Sequence, residues 1–400
     1  MKVAFFTNNY LPRISGVANS VEFLRKSLEE LGIEVFVFAP SYEINDYPSS
    51  QERIIRIRSL RFWWLKRFAF PLPFFNIQKI NRVLSRIQPD IIHFHQPFLL
   101  GRLALKWAIK SRVPVVFTYH SLYEEYVHYF PFHQKICKKM ASYYTVDSAN
   151  KSNLIICPTE QVADYLRAKG VSNRIVVVPT GIDFNCYGQR FTEKQLREFK
   201  QTLGITTDNK ILLYVGRMVK EKNIQFLLRA AEKILKQRKD MILIMVGDGT
   251  LLSSYCRFAQ KMRIDKQIIW TGSQPPEKLP WFYQIADLFL FPSKTDTQAI
   301  VLYEALASGL PVIAVASLAS KAIVKNGDNG FLSSDDLGEF SRAVINNLSF
   351  KQKKPIFLEQ KKYTPSEIAL FVYQLYQKVI SEYSFAKKYH SVSYKTNESV

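Results

Sequence analysis

The sequence predicts an α/β protein built from two doubly wound domains, and three observations carry that prediction. Short apolar runs alternate with helix-periodic segments in both halves of the chain, the pattern of parallel strands joined by helical crossovers. The alternation pauses after RIVVVPTGID (Arg174 to Asp183) and restarts at KILLYVGR (Lys210 to Arg217), as a second sheet would. At 400 residues the chain is long for a single hydrophobic core. The expected division is 1–185, 186–364, a helix over 365–385, and a mobile tail over 386–400.

Composition narrows the class. With 47% hydrophobic and 22% charged residues the chain is globular. Cys137, Cys157, Cys186 and Cys256 lack metal-ligand or Cys-x-x-Cys spacing, which fits reduced thiols in a cytosolic compartment. No apolar run approaches the roughly 18 residues of a spanning helix, and MKVAFFT is too short for a signal-peptide core. The expected location is therefore cytoplasmic. A net charge of +21 implies an anionic partner. No nucleic-acid-binding signature is present and the basic residues accompany large apolar ones, a mixture that favours an acidic membrane surface over nucleic acid.

Taken in order, VAFFT (Val3 to Thr7) is the first strand, and its loop leads to a helix over about Val17 to Leu31. Gly16 in that loop permits close backbone approach to a phosphate, or simply a turn. EVFVFAP (Glu34 to Pro40) is the second strand. Between Arg53 and Arg86 there are nine basic residues and no acid, together with Trp63, Trp64 and five phenylalanines. Arg61, Trp63, Trp64, Lys66 and Arg67 form the candidate membrane-docking surface; the aromatics also suit the core of the first domain. PDIIHF (Pro89 to Phe94), VPVVFTYH (Val113 to His120) and NLIICPT (Asn153 to Thr159) continue the sheet. His93 and His95 alternate along one strand without an evident third ligand, so no metal is expected. His120 falls at a strand's carboxyl end, where such sheets place ligands.

In the second half, KILLYVGR ends at Gly216 and Arg217, and a helix begins at about Asn223. Arg217 offers a planar fork and Lys222 a mobile point charge, two cations at a helix start that call for an anion. MILIMVGDGT (Met241 to Thr250) ends in Gly247, Asp248 and Gly249. QIIWTG (Gln267 to Gly272), DLFLFP (Asp287 to Pro292) and PVIAVAS (Pro311 to Ser317) are further strands. After DLFLFP comes SKTDTQAIVLYEALASGLP, with Asp296 or Thr297 expected at the N-cap of a helix that stops near Gly309. Glu304 lies eight residues after Asp296. On a helix that is about 12 Å along the axis, too far for a shared scissile atom but suited to two ends of one ligand. An N-cap aspartate and a surface glutamate on an ordinary helix fit the same spacing.

Asp-x7-Glu followed by ALASGLP resembles the Glu-x7-Glu segment of retaining, sugar-nucleotide-dependent glycosyltransferases of group 1, which have the GT-B fold: two Rossmann-like domains, an interdomain cleft and a carboxyl-terminal crossover helix. Asp296 stands where that family has Glu, and Ala299 where it usually has Gly. The resemblance implies that Glu304 binds the nucleotide ribose and that Asp296 lies against the donor sugar. Thr297, Gln298, Ala299 and Ile300 would line the donor. VGR-x4-K matches the segment in which Gly216, Arg217 and Lys222 hold the diphosphate. Gly16 would face the phosphates, and Gly247, Asp248 and Gly249 would border the nucleotide pocket.

TYHSLYEEYVHYF (Thr118 to Phe130) is similar to the acceptor-side segment of diacylglycerol glucosyltransferases. That likeness implies that His120 contacts the donor sugar and that Tyr123, Glu124 and Tyr126 shape the acceptor mouth. The expected activity is transfer of a hexose, glucose from UDP-glucose, to a diacylglycerol-type lipid, with no metal and no other cofactor. His120, Arg217, Lys222 and Asp296 are the expected catalytic residues. The partners implied are a UDP-sugar, the lipid acceptor and an anionic membrane surface on the cytoplasmic face. A mannosyl- or glucosyltransferase acting on phosphatidylinositol or another lipid-linked acceptor is the runner-up. A sugar-nucleotide epimerase and a non-catalytic sugar-nucleotide binder are alternatives of other classes.

Overall fold

Two all-parallel sheets organise the chain in the computed structural model, which describes residues 1–12, 15–42, 53–60, 72–73, 77–129, 133–181, 184–206, 209–352 and 364–395. By backbone contacts the chain divides into one unit of Met1–Gly181 with Pro365–Val400 and another of Ile182–Thr364. Each has the doubly wound architecture of a GT-B half.

The strands of the first unit are β1 (Lys2–Phe6), β2 (Glu34–Pro40), β3 (Ile54–Ile57), the short antiparallel ribbon β4 (Ser59–Leu60) with β5 (Leu72–Pro73), β6 (Ile91–Phe94), β7 (Val115–Thr118), β8 (Leu154–Cys157) and β9 (Ile175–Val177). Seven of them form a sheet in the order β3-β2-β1-β6-β7-β8-β9. The central strands are buried on both faces, which is why their sequences read as continuous apolar runs. His93 sits wholly buried in β6 because both ring nitrogens are engaged. Nδ1 pairs with the Tyr376 hydroxyl at 2.6 Å and Nε2 with the Thr118 hydroxyl at 2.6 Å. Helix Gly16–Glu30 starts from Ser15, whose hydroxyl accepts from the Ala18 amide at 3.1 Å.

The basic stretch resolves partly into ordinary structure. β3 adds to the sheet edge beside β2, and helix Ile77–Ile87 buries Ile80 and Leu84. Arg53 pairs with Glu34 at 3.5 Å. Arg56 donates to the Pro40 carbonyl at 3.3 Å and lies over the Tyr10 ring. The docking candidates Arg61, Trp63, Trp64, Lys66 and Arg67 lie outside the described residues.

The second unit contains β10 (Lys210–Val215), β11 (Met241–Val246), β12 (Ile268–Gly272), β13 (Leu288–Phe291), β14 (Val312–Val315) and β15 (Gly330–Ser333), in the order β12-β11-β10-β13-β14-β15. Alternate residues of β10 feed two cores. Ile211, Leu213 and Val215 pack on one face of the sheet, and Leu212 and Tyr214 on the other.

The carboxyl-terminal helix runs from Pro365 to Lys395, ten residues beyond the expected end at 385. This corrects the expectation of a mobile tail from 386. The segment 386–395 contains neither Gly nor Pro, so nothing local stops the helix. Ala369, Val372, Tyr376 and Val379 are buried against the first unit. Among the described residues no helix is long and apolar enough to cross a membrane.

Candidate active site

In the second unit the chain leaves β10 through Gly216 and Arg217, forms one 3-10 turn over Lys220–Lys222, passes Asn223 in left-handed conformation and enters helix Ile224–Gln237. The Arg217 guanidinium reaches Glu221 at 3.1 Å, and the Glu221 side chain is nearly inaccessible to solvent. The Glu221 carbonyl accepts from the Thr295 hydroxyl at 3.1 Å, and Asn223 donates to the Pro292 carbonyl at 3.1 Å. These bonds bind the loop after β10 to the loop after β13.

Lys222 Nζ then lies 2.5 Å from Asp296 Oδ1. Burial alone would raise the Asp296 carboxyl, but the attraction and hydrogen bond of Lys222, with smaller help from Ser293 and Arg217, hold it below the usual range. Its second oxygen, Oδ2, is buried without a hydrogen-bond partner among the described residues, an arrangement that buried carboxylates rarely leave.

The helix after β13 starts later than its sequence suggests. It spans Ile300–Ala307, and its N-cap is Ala299 with φ 52° and no side-chain cap. This corrects Asp296 or Thr297 as N-cap, and with it the helical distance from Asp296 to Glu304. The physical reason is competition: Asp296 is drawn to the Lys222 ammonium, a stronger partner than the neutral amides of a helix end. Thr297 and Gln298 are buried in the loop and Ile300 is partly buried. The Glu304 carboxylate accepts from the Tyr283 hydroxyl at 2.6 Å. Burial raises its pKa, opposed by hydrogen bonds from Tyr283 and Tyr187.

Three strand ends are laced together beside these side chains. The Gly216 amide donates to the Val246 carbonyl at 2.9 Å, Gly247 to Gly272 at 2.8 Å and Met218 to Asp248 at 2.9 Å. Any Cβ at Gly247, where φ is +134°, would sit 2.0 Å from the Gly216 oxygen, and one at Gly249 would sit 2.5 Å from that of Met218. These glycines exist for loop packing. Asp248 is exposed, and its carboxylate accepts from the Gly249 amide at 2.6 Å.

In the first unit, register between β6 and β7 pairs Phe94 with Phe117 and carries His95 and His120 past the same strand ends. His95 Nδ1 and His120 Nε2 are 3.0 Å apart. His95 is 1% exposed, and its Nε2 has no partner among the described residues. Burial pushes His120 down to about 4 and His93 to about 3, the latter with a smaller contribution from His120. Burial and then its two histidine neighbours hold His95 well below the ordinary range. All three rings are neutral at pH 7.

Tyr123 donates to the His95 carbonyl at 3.2 Å, and Tyr126 is half-buried in the same 3-10 segment, Tyr123–Tyr129. The Glu124 carboxylate is directed inward, 2.6 Å from Lys169 Nζ and 3.2 Å from the Tyr165 hydroxyl, so it stabilises the fold beside the segment. Gly16 opens helix Gly16–Glu30, exposed, with nothing within 4 Å of where a Cβ would be. Internal packing does not demand a glycine there.

The family model described as Glycosyltransferase Family 4 matches residues 14–185, and that described as Glycosyl transferases group 1 matches residues 196–355. An alpha-monoglucosyldiacylglycerol synthase of Streptococcus pneumoniae (strain ATCC BAA-255 / R6) is 36% identical over 318 residues, 78% of this chain and 71% of that protein. The chain belongs to the group 1 glycosyltransferases. A protein of the same name from Acholeplasma laidlawii is 31% identical across 82% of this chain and 84% of its own length. The solved structure of sucrose-phosphate synthase from Thermosynechococcus elongatus shares the fold, with a TM-score of 0.77 at 19% identity over 95% of this chain and 99% of that one.

As a group 1 glycosyltransferase the chain is a hexosyltransferase, and the epimerase and non-catalytic alternatives give way to that class. Sequence reasoning misses three residues of the arrangement. His95 reads in the sequence only as half of a metal pair, whereas it touches His120. Glu221 and Tyr283, which hold Arg217 and Glu304, carry no signal beyond their types. Among the described residues no group of three or more His, Cys, Asp or Glu side chains could hold a metal ion.

Proposed function

We propose that this group 1 glycosyltransferase moves glucose from UDP-glucose to the hydroxyl of a diacylglycerol-type membrane lipid with retention of configuration, without a metal or other cofactor. The observation that carries the chemistry is the cluster Arg217, Lys222 and Asp296, two cations and one carboxylate at the carboxyl edge of the second sheet. Lys222 has three N–H donors, and Asp296 engages one; Arg217 has five, and Glu221 engages one of its nitrogens. The remaining donors suit the oxygens of a diphosphate, whose negative charge grows as it leaves the sugar. In the step proposed, the lipid oxygen bonds to the anomeric carbon as the bond from that carbon to phosphate breaks. The hydroxyl proton passes to the departing diphosphate on the same face.

The choice of glucose and diacylglycerol is supported by the names of the two relatives. In this reading Glu304 binds the ribose, Thr297, Gln298, Ala299 and Ile300 line the donor, and Gly216 and the Gly247 to Gly249 turn border the nucleotide. Gly16 faces the phosphates and His120 the sugar. The acceptor meets Tyr123, Tyr126 and the segment that Glu124 stabilises. The protein would work as a peripheral enzyme on the cytoplasmic face. The residues Arg61, Lys66 and Arg67, with Trp63 and Trp64, have the composition of an interfacial anchor.

The test is a transfer assay with radiolabelled UDP-glucose and diacylglycerol vesicles, with and without anionic lipid. Label in a monoglucosyl lipid, increased by anionic lipid, is expected. Release of UDP with no label in diacylglycerol would overturn the acceptor and direct the search to phosphatidylinositol. Lipid labelling from GDP-mannose in place of UDP-glucose would overturn the donor.

A further inference from the structure

Helix Gln134–Asn150 follows the Tyr123–Tyr129 segment and turns its small residues inward. Ala141, Thr145, Ser148 and Ala149 are its buried positions. Its bulkier apolar side chains point the other way. Ile136 is 58% exposed, Met140 50% and Tyr143 64%, and their spacing of four and three residues lines them along one stripe. Single exposed hydrophobes are commonplace on soluble proteins, whereas a contiguous outer stripe marks a binding face.

The charges flank this stripe. Lys135 and Lys139 are exposed beside it within the first two turns of the helix, whereas Lys138 lies on the side of Ala141 and Thr145, and the first turn contains no acid. The amino terminus of a helix carries partial positive charge, so ammonium groups there are unfavourable unless an external anion compensates. Lys138 lies 3.4 Å from Glu125 in the acceptor-side segment. The Tyr144 ring meets Phe98 edge-on, Phe98 meets Tyr123, and Tyr123 bonds to the His95 carbonyl. Tyr143 of the stripe meets the Tyr144 ring edge-on, which links the stripe to this chain of contacts.

We infer that the outer face of helix Gln134–Asn150 docks on an anionic lipid bilayer. The helix lies in the interfacial plane, with Ile136, Met140 and Tyr143 at the boundary of headgroups and acyl chains. The lysine stems cover apolar surface and their ammonium groups meet lipid phosphates. This surface is distinct in sequence from the Arg61 to Arg67 stretch. It rests on the lipid-acceptor reading only in its purpose, which is to hold the bilayer beside the segment that receives the lipid hydroxyl.

The test uses the full chain and two double variants at exposed positions, Ile136→Ser with Met140→Ser and Lys135→Glu with Lys139→Glu. Lys194→Glu with Arg197→Glu, on an exposed helix of the second unit, is the charge-matched control. Co-sedimentation with vesicles of phosphatidylcholine, alone or mixed with phosphatidylglycerol, should show both helix variants binding the mixed vesicles at least roughly tenfold more weakly, and the control binding as the native chain does. Native-like binding by the helix variants, or an equal loss in the control, overturns the inference. Glucose transfer to a short-chain diacylglycerol in solution separates it from the acceptor reading. Transfer there with vesicle binding unaffected by the helix variants defeats the docking surface alone. Helix-dependent vesicle binding without transfer to any diacylglycerol defeats the acceptor and leaves the surface standing.

Discussion

At the carboxyl edge of the first sheet the polar groups are neutral: His95 against His120, His93 between Thr118 and Tyr376. At the corresponding edge of the second sheet they are ions, Lys222 against Asp296 and Arg217 against Glu221. The backbone architecture is the same, so the difference lies in the loops that leave the strand ends. A neutral ring suits a sugar hydroxyl, which gives and takes hydrogen bonds without net charge. Paired cations suit a diphosphate leaving group. The contrast teaches that one fold, used twice, presents neutral groups at one sheet edge and ions at the other by loop chemistry alone.

The largest expected effect falls on the ionic side. Arg217→Ala and Lys222→Ala should each lower kcat by about 10²- to 10³-fold in a chain that still folds, with a lowered unfolding midpoint because Glu221 or Asp296 loses its partner, read by donor turnover and thermal denaturation. Near-native turnover in both would remove the second sheet edge from the chemistry and break the contrast.

The next concerns pH. Burial depresses the folded pKa of His93 from 6.5 to about 3, and that of His95 also falls. Their contribution is fully present above the unfolded value of about 6.5 and is lost as pH falls from there toward the folded value. The loss for each is about 1.4 kcal/mol per pH unit. The depressed carboxyl of Asp296 releases its contribution only at lower pH, below the ordinary carboxyl value of 3.8. Hydrogen exchange corrected for intrinsic rate should show amides of β1 and β6 losing protection between pH 6.5 and 5 while those of β10 and β11 hold. Equal loss in both sheets would erase the distinction.

Smaller still, His120→Phe should reduce kcat/KM about tenfold by deleting one neutral hydrogen bond in the transition state. A loss as great as that of Arg217→Ala would make His120 more than a neutral contact. Smallest is Ala299→Gly. Ala299 holds φ 52°, a conformation in which Cβ is disfavoured by about 1 kcal/mol, so glycine should raise stability by up to that amount in urea denaturation. A lower midpoint would show that the Ala299 methyl contributes more by packing than it costs in strain.

Much of this is legible in the chain itself. Parallel strands buried on both faces must be continuous apolar runs, so both sheets and the restart at Lys210 can be read directly. Arg217 and Lys222 announce an anion because cations do not belong at a helix start without one. β3 is hidden because it is only four residues long, Ile54–Ile57, and is set among arginines that read as a basic surface. The pairing of His95 with His120 depends on the register of β6 with β7, which no local pattern encodes. The left-handed Ala299 is hidden for the opposite reason: local preference argues against it, and the ion pair of Lys222 with Asp296 prevails.

The bond from Tyr376 to His93 bears on biosynthesis. β6 emerges from the ribosome early, yet the hydroxyl that completes the buried ring of His93 is encoded 283 codons later. The second unit is one continuous stretch of chain and can finish folding as soon as it is translated. The first must wait, its sheet assembled but one helix short, until Tyr376 has been translated. The half made first is completed last, and premature termination before Tyr376 would leave His93 without its partner in a core already closed on the other side.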